Sequence, residues 1–394
     1  MSEWREVTLG DVATISWGDT STTKAAYAKS GFPAYSATGQ DGLLPYADHT
    51  EDGVVISAIG AQCGKTWYAA GSWSCIKNTL WMRGKPGLDT RFLFYATSRQ
   101  DLWPRRGAAQ PFIGLGDAKA MRLRIPDDVT QVAIGTVLGS MDKLIENNRR
   151  RVEVLEEMAR AIYREWFVKF RYPGHEDVPL VDSPLGRIPE GWVVSRLGAI
   201  VDFTMGQSPK SEFYNVQGNG LPFHQGVADF GRHFPTTRKW CSVQGRSALA
   251  GDVLVSVRAP VGRINVADTE MTIGRGLAAL RAKDGRQALL LERLRETFEV
   301  EDSLGNDGAI FKSLGRAEFV SIPVLVPTDA VADAANAILT DNLGSIRALS
   351  HSIQRLTELR DLLLPKLVTG QIDVSTLDLD ALISSTSSQK EMAS

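Results

Sequence analysis

The chain has 394 residues, enough for two or three domains at roughly 100 to 200 residues each, which excludes one small domain. With 43% hydrophobic and 23% charged residues, its composition is that of an ordinary globular protein and excludes disordered, collagen-like and disulfide-stapled classes. Forty-four basic side chains face forty-six acidic ones, a formal charge of -2, which argues against a polybasic tail but leaves room for a local basic cleft.

Taken in chain order, the elements repeat. A W-x4-L-G opening places Trp4, Leu9, Gly10 and Gly18 in the first half and Trp192, Leu197, Gly198 and Gly206 in the second, at a constant offset. Gly31 and Pro33 then answer to Gly220 and Pro222, and Ala61, Gly64 and Lys65 to Ala259, Gly262 and Arg263. Ile76 and Leu80 answer to Ile273 and Leu277, and Phe112, Leu115 and Gly116 to Phe311, Leu314 and Gly315. A slowly growing offset of roughly 190 to 200 residues is what small loop insertions leave in a duplicated domain. Within each half, Val54–Ile59 and Val253–Val257 read as strands among glycine-bearing turns, so residues 1–128 and 190–327 are expected to be α+β domains.

Each half ends in a helical stretch, residues 129–172 and 328–370, entered after Pro126 and Pro327. In the first, a seven-residue repeat places Leu138, Ile145, Val152, Ala159 and Trp166 at a, and Met141, Asn148, Leu155 and Ile162 at d. The second places Leu339, Ile346, Ile353, Arg360 and Leu367 at a, and Asn342, Leu349, Leu356 and Leu363 at d. Two such helices can form a coiled coil with each other; the alternative is two amphipathic helices packed separately on their own domains. Asn148 and Asn342 read as buried, register-setting residues, although a solvated helix end suits Asn342 nearly as well. Pro173-Gly174 is expected to stop the first helix, residues 173–189 to form a linker, and residues 371–394 to be a tail that is disordered from Ser384 onward.

Catalytic motifs are not evident. Gly60-Ala61-Gln62-Cys63-Gly64-Lys65-Thr66 resembles a phosphate loop but has three residues between its glycines where four are needed. Gly114-Leu115-Gly116 and Gly274-Arg275-Gly276 are incomplete dinucleotide fingerprints, better read as turns. His49, His175, His224, His233 and His351 have no metal-ligand spacing, and Cys63, Cys75 and Cys241 suggest neither a disulfide framework nor a zinc site. No apolar run is long enough for a membrane span and the N-terminus lacks a signal-peptide pattern, so a cytoplasmic protein is expected.

Charge counted locally is more informative. Val54–Arg124 holds eleven Lys or Arg against three Asp and no Glu, the kind of excess that steers and holds phosphate backbones. Lys65, Lys77, Asn78, Arg105, Arg106 and Gln110 are candidates there for phosphate and base-edge contacts. In the second half the candidates are Gln207, Ser208, Lys210, Gln225, Arg258, Arg263, Arg275 and Lys312. Any one of these charges is consistent with a solvated surface residue, and their clustering at repeat-equivalent places is what raises the group above that.

These features resemble the specificity subunit of type I restriction-modification systems, a component of phage defence. The resemblance is carried by Trp4-Arg5-Glu6-Val7-Thr8-Leu9-Gly10, Gly186–Trp192, Asn147–Arg150 through Met158–Ile162 to Trp166-Phe167, Leu362–Gly370, and Gly206–Pro209 through Gly220–Gly226. It covers nearly the whole chain. It implies a non-catalytic reader of double-stranded DNA with two target-recognition domains, each reading one half of a bipartite, non-palindromic site. It further implies two helical spacers that carry two methyltransferase subunits and up to two restriction (motor-nuclease) subunits. Those partners would hold S-adenosylmethionine, ATP and Mg2+, and would methylate adenine at N6 or translocate and cleave DNA; no cofactor is expected in this chain. Four heptads make a rod of about 42 Å, compatible with half-sites about 34 to 36 Å apart. An antiparallel pairing of the helices would give the pseudo-two-fold symmetry that matches the DNA dyad. A coiled-coil scaffold without DNA and a self-contained DNA-modifying enzyme are the competing readings.

Overall fold

A computed structural model describes residues 4–107, 109–303 and 315–376. The chain divides into two compact units, Met1–Asn148 with Ser352–Ser394, and Arg149–His351. Each unit therefore combines one α+β domain with a stretch of the helix that follows it and a stretch of the other half's helix.

In the first unit an antiparallel four-stranded sheet runs in the order Ala13–Trp17, Thr79–Gly84, Gly53–Ser57, Thr66–Ala69. Gly53–Ser57 is an unbroken apolar run because it is flanked on both edges and covered on both faces; all five residues are buried. Arg5–Thr8 pairs with Arg122–Ile125 to tie the start of the domain to its end. The core joins Leu9, Val54, Ile56, Leu80, Met82, Phe92 and Leu93 to Leu138 and Met141 from the first helix and to Leu363 and Leu367 from the second.

The second unit repeats the plan. Its four-stranded sheet has the same order, Val201–Met205, Leu277–Ala282, Val253–Ser256, Ile264–Val266, and Val193–Arg196 pairs with Pro323–Val326. The repeated opening residues do the same work in both copies. Leu9 and Leu197 are buried, and their amides donate to the carbonyls of Met121 and Ile322, both at 2.8 Å. A Cβ on Gly18 would lie 2.8 Å from the Cys75 carbonyl oxygen, and one on Gly206 would lie 2.8 Å from that of Ile273, so neither position has room for a side chain. Trp192 is buried in an aromatic cluster, stacked on Tyr172 at 5.5 Å and edge-on to Phe170 at 5.5 Å, while Trp4 packs on the first core beside Phe92.

The long helices are Asp128–Tyr163, continued by a π-helical turn over Arg164–Val168, and Asp329–Val368. None of the predicted a and d side chains is exposed: Leu138, Ile145, Val152, Ile346 and Leu363 are buried, and Leu155, Ile162, Leu349, Ile353 and Leu356 are half-buried. Within the first unit Arg360 reaches Asp142 at 2.7 Å and Asn148 donates to Ser352 at 3.2 Å, so the helices run antiparallel there. Within the second, Asn342 donates to the Leu155 carbonyl at 3.0 Å, and Ala159 and Tyr163 share a cluster with Ala332 and Ala335, again antiparallel.

Three expectations need correction, and one open reading is decided. The first helix ends at Val168 rather than near Tyr172, because Phe170 adopts a left-handed φ of 60° that no helix continues through. The expected linker contains a hairpin, Leu180–Ser183 with Gly186–Pro189, and its Ile188 is buried in the aromatic cluster. Of the two readings held for Asn342, the buried one is right: it is 7% exposed and hydrogen-bonded. The repeat register near residue 76 is off by one: Asp19 and Gln207 donate to the carbonyls of Cys75 and Ile273, and Gly18 and Gly206 to those of Thr79 and Leu277. Cys75 therefore answers to Ile273 and Thr79 to Leu277. Phe311, Lys312, Leu314 and the serine-rich end from Ser384 lie outside the described residues.

Candidate nucleic-acid interface

The segment Gly60–Thr66 leaves the central strand of the first sheet and returns as the next one. Four of its amides are already committed: Gly60 donates to Pro111, Cys63 to Gly60, Gly64 to Ser57 and Lys65 to Gln62, all at 2.8–3.0 Å. A phosphate loop needs those N–H groups for its ligand, so this turn is a structural connection that ends in an exposed lysine. Lys65 sits over the Trp67 ring, 5.6 Å from its centroid. In the second unit Gly262 donates to Ser256 at 2.9 Å, closing the same turn with Arg263 at its end.

Backbone hydrogen bonds bring further loops to the same place in each unit. In the first, Ala58 donates to Asn78, Ile113 donates to Ala58, and Phe112 and Arg106 exchange a pair of bonds. The loops carrying Lys65, Lys77, Asn78, Arg105, Arg106 and Gln110 are thus stitched together, and all six residues are exposed. In the second, Val257 donates to Gly276, Gly276 to Gln225, and Gly274 to His224. Ser208 and Gln225 are hydrogen-bonded at 2.9 Å, and the Arg275 amide donates to the Ser208 hydroxyl at 3.2 Å. Gln207, Lys210, Arg258 and Arg263 are exposed on these or adjoining turns, with Lys210 3.9 Å from Glu212. Lys312 lies outside the described residues.

The local charge excess is smaller in space than in sequence. Arg99 pairs with Asp101 and Arg106 with Asp117, while Arg83 and Arg122 are drawn to Glu51 and Glu6 from outside the counted window. Lys65, Lys77 and Arg105 form no ion pair among the described residues, so they keep the charge that phosphate contact requires.

Folding adds residues that composition did not single out. Asp19 occupies the place of Gln207, and hydrogen bonds from Ser21 and Thr22 hold its carboxyl down at about 2. Beside it a cavity of about 330 Å³ is lined by Ala25, Ala37, Thr38, Ile76 and Asn78. Its neighbour Asp41 is pushed up by burial, but hydrogen bonds from Lys24, Ser36, Thr38 and Tyr27 more than offset this and keep it well below the usual carboxylate range. The repeat register set by Gly18 and Gly206 already pairs Asp19 with Gln207, so the duplication could have pointed to it. Among the described residues no cluster of His, Cys, Asp or Glu could hold a metal ion, and no helix is long and apolar enough to cross a membrane.

Comparison with known proteins places this architecture. The profile of the type I restriction modification DNA specificity domain matches residues 1–157. The MjaX specificity subunit of a type I restriction enzyme from Methanocaldococcus jannaschii is 30% identical over 280 residues, covering 69% of this chain and 64% of that relative, so less than two thirds of the relative is matched. The MjaIX specificity subunit of the same organism is 23% identical over 315 residues, covering 74% of this chain and 71% of the relative. The crystal structure of the type I restriction-modification S subunit from M. genitalium has the same fold, with a TM-score of 0.68 at 17% identity over 93% of this chain and 96% of that one. With two copies of one α+β domain and two long helices, the chain has the fold of a type I restriction-modification S subunit, and over much of its length its sequence is similar to specificity subunits of such systems.

Proposed function

We propose that this chain is the DNA-reading, non-catalytic subunit of a type I restriction-modification complex, each α+β domain reading one half of a bipartite, non-palindromic site. The observation that carries this reading is the duplicated turn. Two domains of differing sequence present the same strand-turn-strand skeleton, each ending in an exposed basic side chain and flanked by exposed polar residues. A shared frame suits contact with a repetitive phosphate backbone, and differing side chains suit different base sequences. The long helices would carry the methyltransferase and restriction subunits, which hold S-adenosylmethionine, ATP and Mg2+, and the complex would work in the cytoplasm. Exposed apolar side chains support docking there: Val129, Val132, Leu144 and Leu362 in the first unit, and Val154, Met158, Val168 and Ile338 in the second.

The test is duplex binding by the full-length chain with its methyltransferase partner, alongside mapping of methylated adenines in the host genome. One split sequence, bound with an affinity that falls steeply with salt, supports the reading. Sequence-blind, salt-insensitive binding overturns it. The same apolar helix faces would serve a scaffold that ignores DNA, and that alternative predicts partner assembly with no duplex binding.

A further inference from the structure

In the first unit three loops enclose the cavity of about 330 Å³ that lies beside Asp19. Backbone bonds join them: Asp19 donates to the Cys75 carbonyl at 2.8 Å, Ile76 to that of Tyr35 at 2.9 Å and Lys77 to that of Thr22 at 3.4 Å. Most polar side chains of the wall are already hydrogen-bonded. Lys24, Ser36 and Thr38 donate to one oxygen of Asp41 at 2.5–2.6 Å, and the Thr23 hydroxyl accepts from the Ala25 amide at 3.3 Å. Ala25, Ala37 and Ile76 supply apolar wall. Lys77 and Asn78 also line the cavity and are exposed. Lys77 forms no ion pair among the described residues, and the Asn78 backbone is pinned at a φ of 69° by the Ala58 amide, which donates to its carbonyl at 2.9 Å.

The second unit fills the equivalent place with a polar group. Ile76 and Gly274 donate to the carbonyls of Tyr35 and His224, so Gly274 holds the position of Ile76 and Gln225 that of Ser36. A Cβ on Gly274 would lie 2.8 Å from the Gln225 Oε1, so an amide stands where the Ile76 side chain begins in the first unit. That amide is held by the Ser208 hydroxyl at 2.9 Å. One copy of the fold thus presents an apolar recess at this point, and the other presents a hydrogen-bonding group.

We propose that the cavity of the first unit receives the C5-methyl group of a thymine, so that this unit reads one T·A pair by apolar contact. The inference rests on the DNA-reading function proposed above and adds to it the base that is read. The thymine methyl is the one apolar group that base edges present in the major groove, and small aliphatic side chains suit it. A cytosine in the same place would turn its N4 amino group toward hydrocarbon and lose hydration, which is unfavourable. The space is far larger than a methyl group and admits the adjoining pyrimidine edge as well. Two features favour a base edge over a free apolar ligand. The recess opens between loops continuous with the other candidate DNA contacts, and Lys77 offers a free cation to the neighbouring phosphate.

The test uses the full-length chain with its methyltransferase partner and the split duplex identified by methylated-adenine mapping. Each thymine of both half-sites is replaced in turn by uracil, which removes the methyl alone, and affinity is read by fluorescence anisotropy. In the half-site that Asn78→Ala relaxes, one uracil is expected to weaken binding about fourfold, the effect of one buried methyl group. Ala25→Leu and Ala37→Val, which fill the cavity and are checked by thermal melting, should bind the thymine and uracil duplexes equally. A chain that still prefers one split sequence but has no uracil-sensitive position in that half-site overturns the proposal. So does a uracil effect that both well-folded filling variants leave intact. Where both variants melt early, the uracil series on the wild-type chain decides. Binding without any sequence preference would remove the DNA-reading function itself, and is thereby distinguished from sequence-specific binding that ignores the methyl.

Discussion

The carbonyls of Lys65 and Arg263 each accept a hydrogen bond at 2.9 Å from the amide of a serine on the central strand of their sheet, Ser57 and Ser256 respectively. Two residues far apart in sequence thus hold one position in two copies of the same turn, and the position is basic in both. Strand pairing closes the turn, so the backbone fixes where the charge stands whichever side chain follows.

Neutralising either residue should weaken duplex binding without changing which sequence is preferred. Lys65→Ala and Arg263→Ala are each expected to lower the salt slope by about one, because a phosphate contact releases about one counterion. Fluorescence anisotropy across salt concentrations reads this directly, and a slope that stays at the wild-type value in both variants removes these residues from the interface.

Base reading should separate by unit. Asn78 borders the small cavity of the first unit, and Gln225 is held by Ser208 in the second. Asn78→Ala is expected to relax one position of one half-site and Gln225→Ala one position of the other, each at a cost of about 1–3 kcal/mol in discrimination. Methylated-adenine maps of strains carrying each variant test this; both variants altering the same half-site would contradict the assignment.

Arg360 stands at a core position of its helix yet is charged, and its partner explains why it is tolerated. It donates to Asp142 at 2.7 Å, and Tyr95 donates to the other oxygen of the same carboxylate at 2.5 Å. Burial and then this bond raise the Tyr95 hydroxyl well above its ordinary value, keeping it protonated as a donor. Arg360→Ala should destabilise the first unit by about 1–2 kcal/mol, since both partners are only partly shielded from water. Urea unfolding measures the loss, and an unchanged midpoint would mean that the pair contributes nothing.

Protonation of His233 should make the second unit acid-sensitive. Held down by burial, the imidazole titrates at about 4 when folded against its ordinary 6.5, so the folded value is depressed and the unfolded chain binds more protons between the two. Its contribution is fully present above about 6.5 and is lost as pH falls toward about 4. His233→Gln should flatten that part of the stability profile; a wild-type chain equally stable at pH 7 and pH 4.5 would show that the histidine stays solvated.

Much of the architecture was legible because it repeats or follows a period. Leu9 and Leu197 stand out because the same packing problem is solved twice, and the heptads of Leu138 to Ile162 and Ile346 to Leu363 because a helix must turn one face inward. The end of the first helix was not legible, since the reversal at Phe170 lies in a φ that few residue types advertise. Nor was the one-residue slip near Cys75 and Ile273, where identical isoleucines at neighbouring positions outweighed a register that only backbone bonds reveal.

The order of residues alone determined that two like domains alternate with two heptad helices, because periodicity and duplication are properties of the chain. Which charges remain available was decided by tertiary structure. Arg106 and Arg122 count as cations in any window, yet Asp117 and Glu6 neutralise them, the latter from 116 residues away. Electrostatic fields depend on distance through space, and sequence separation carries almost none of that information.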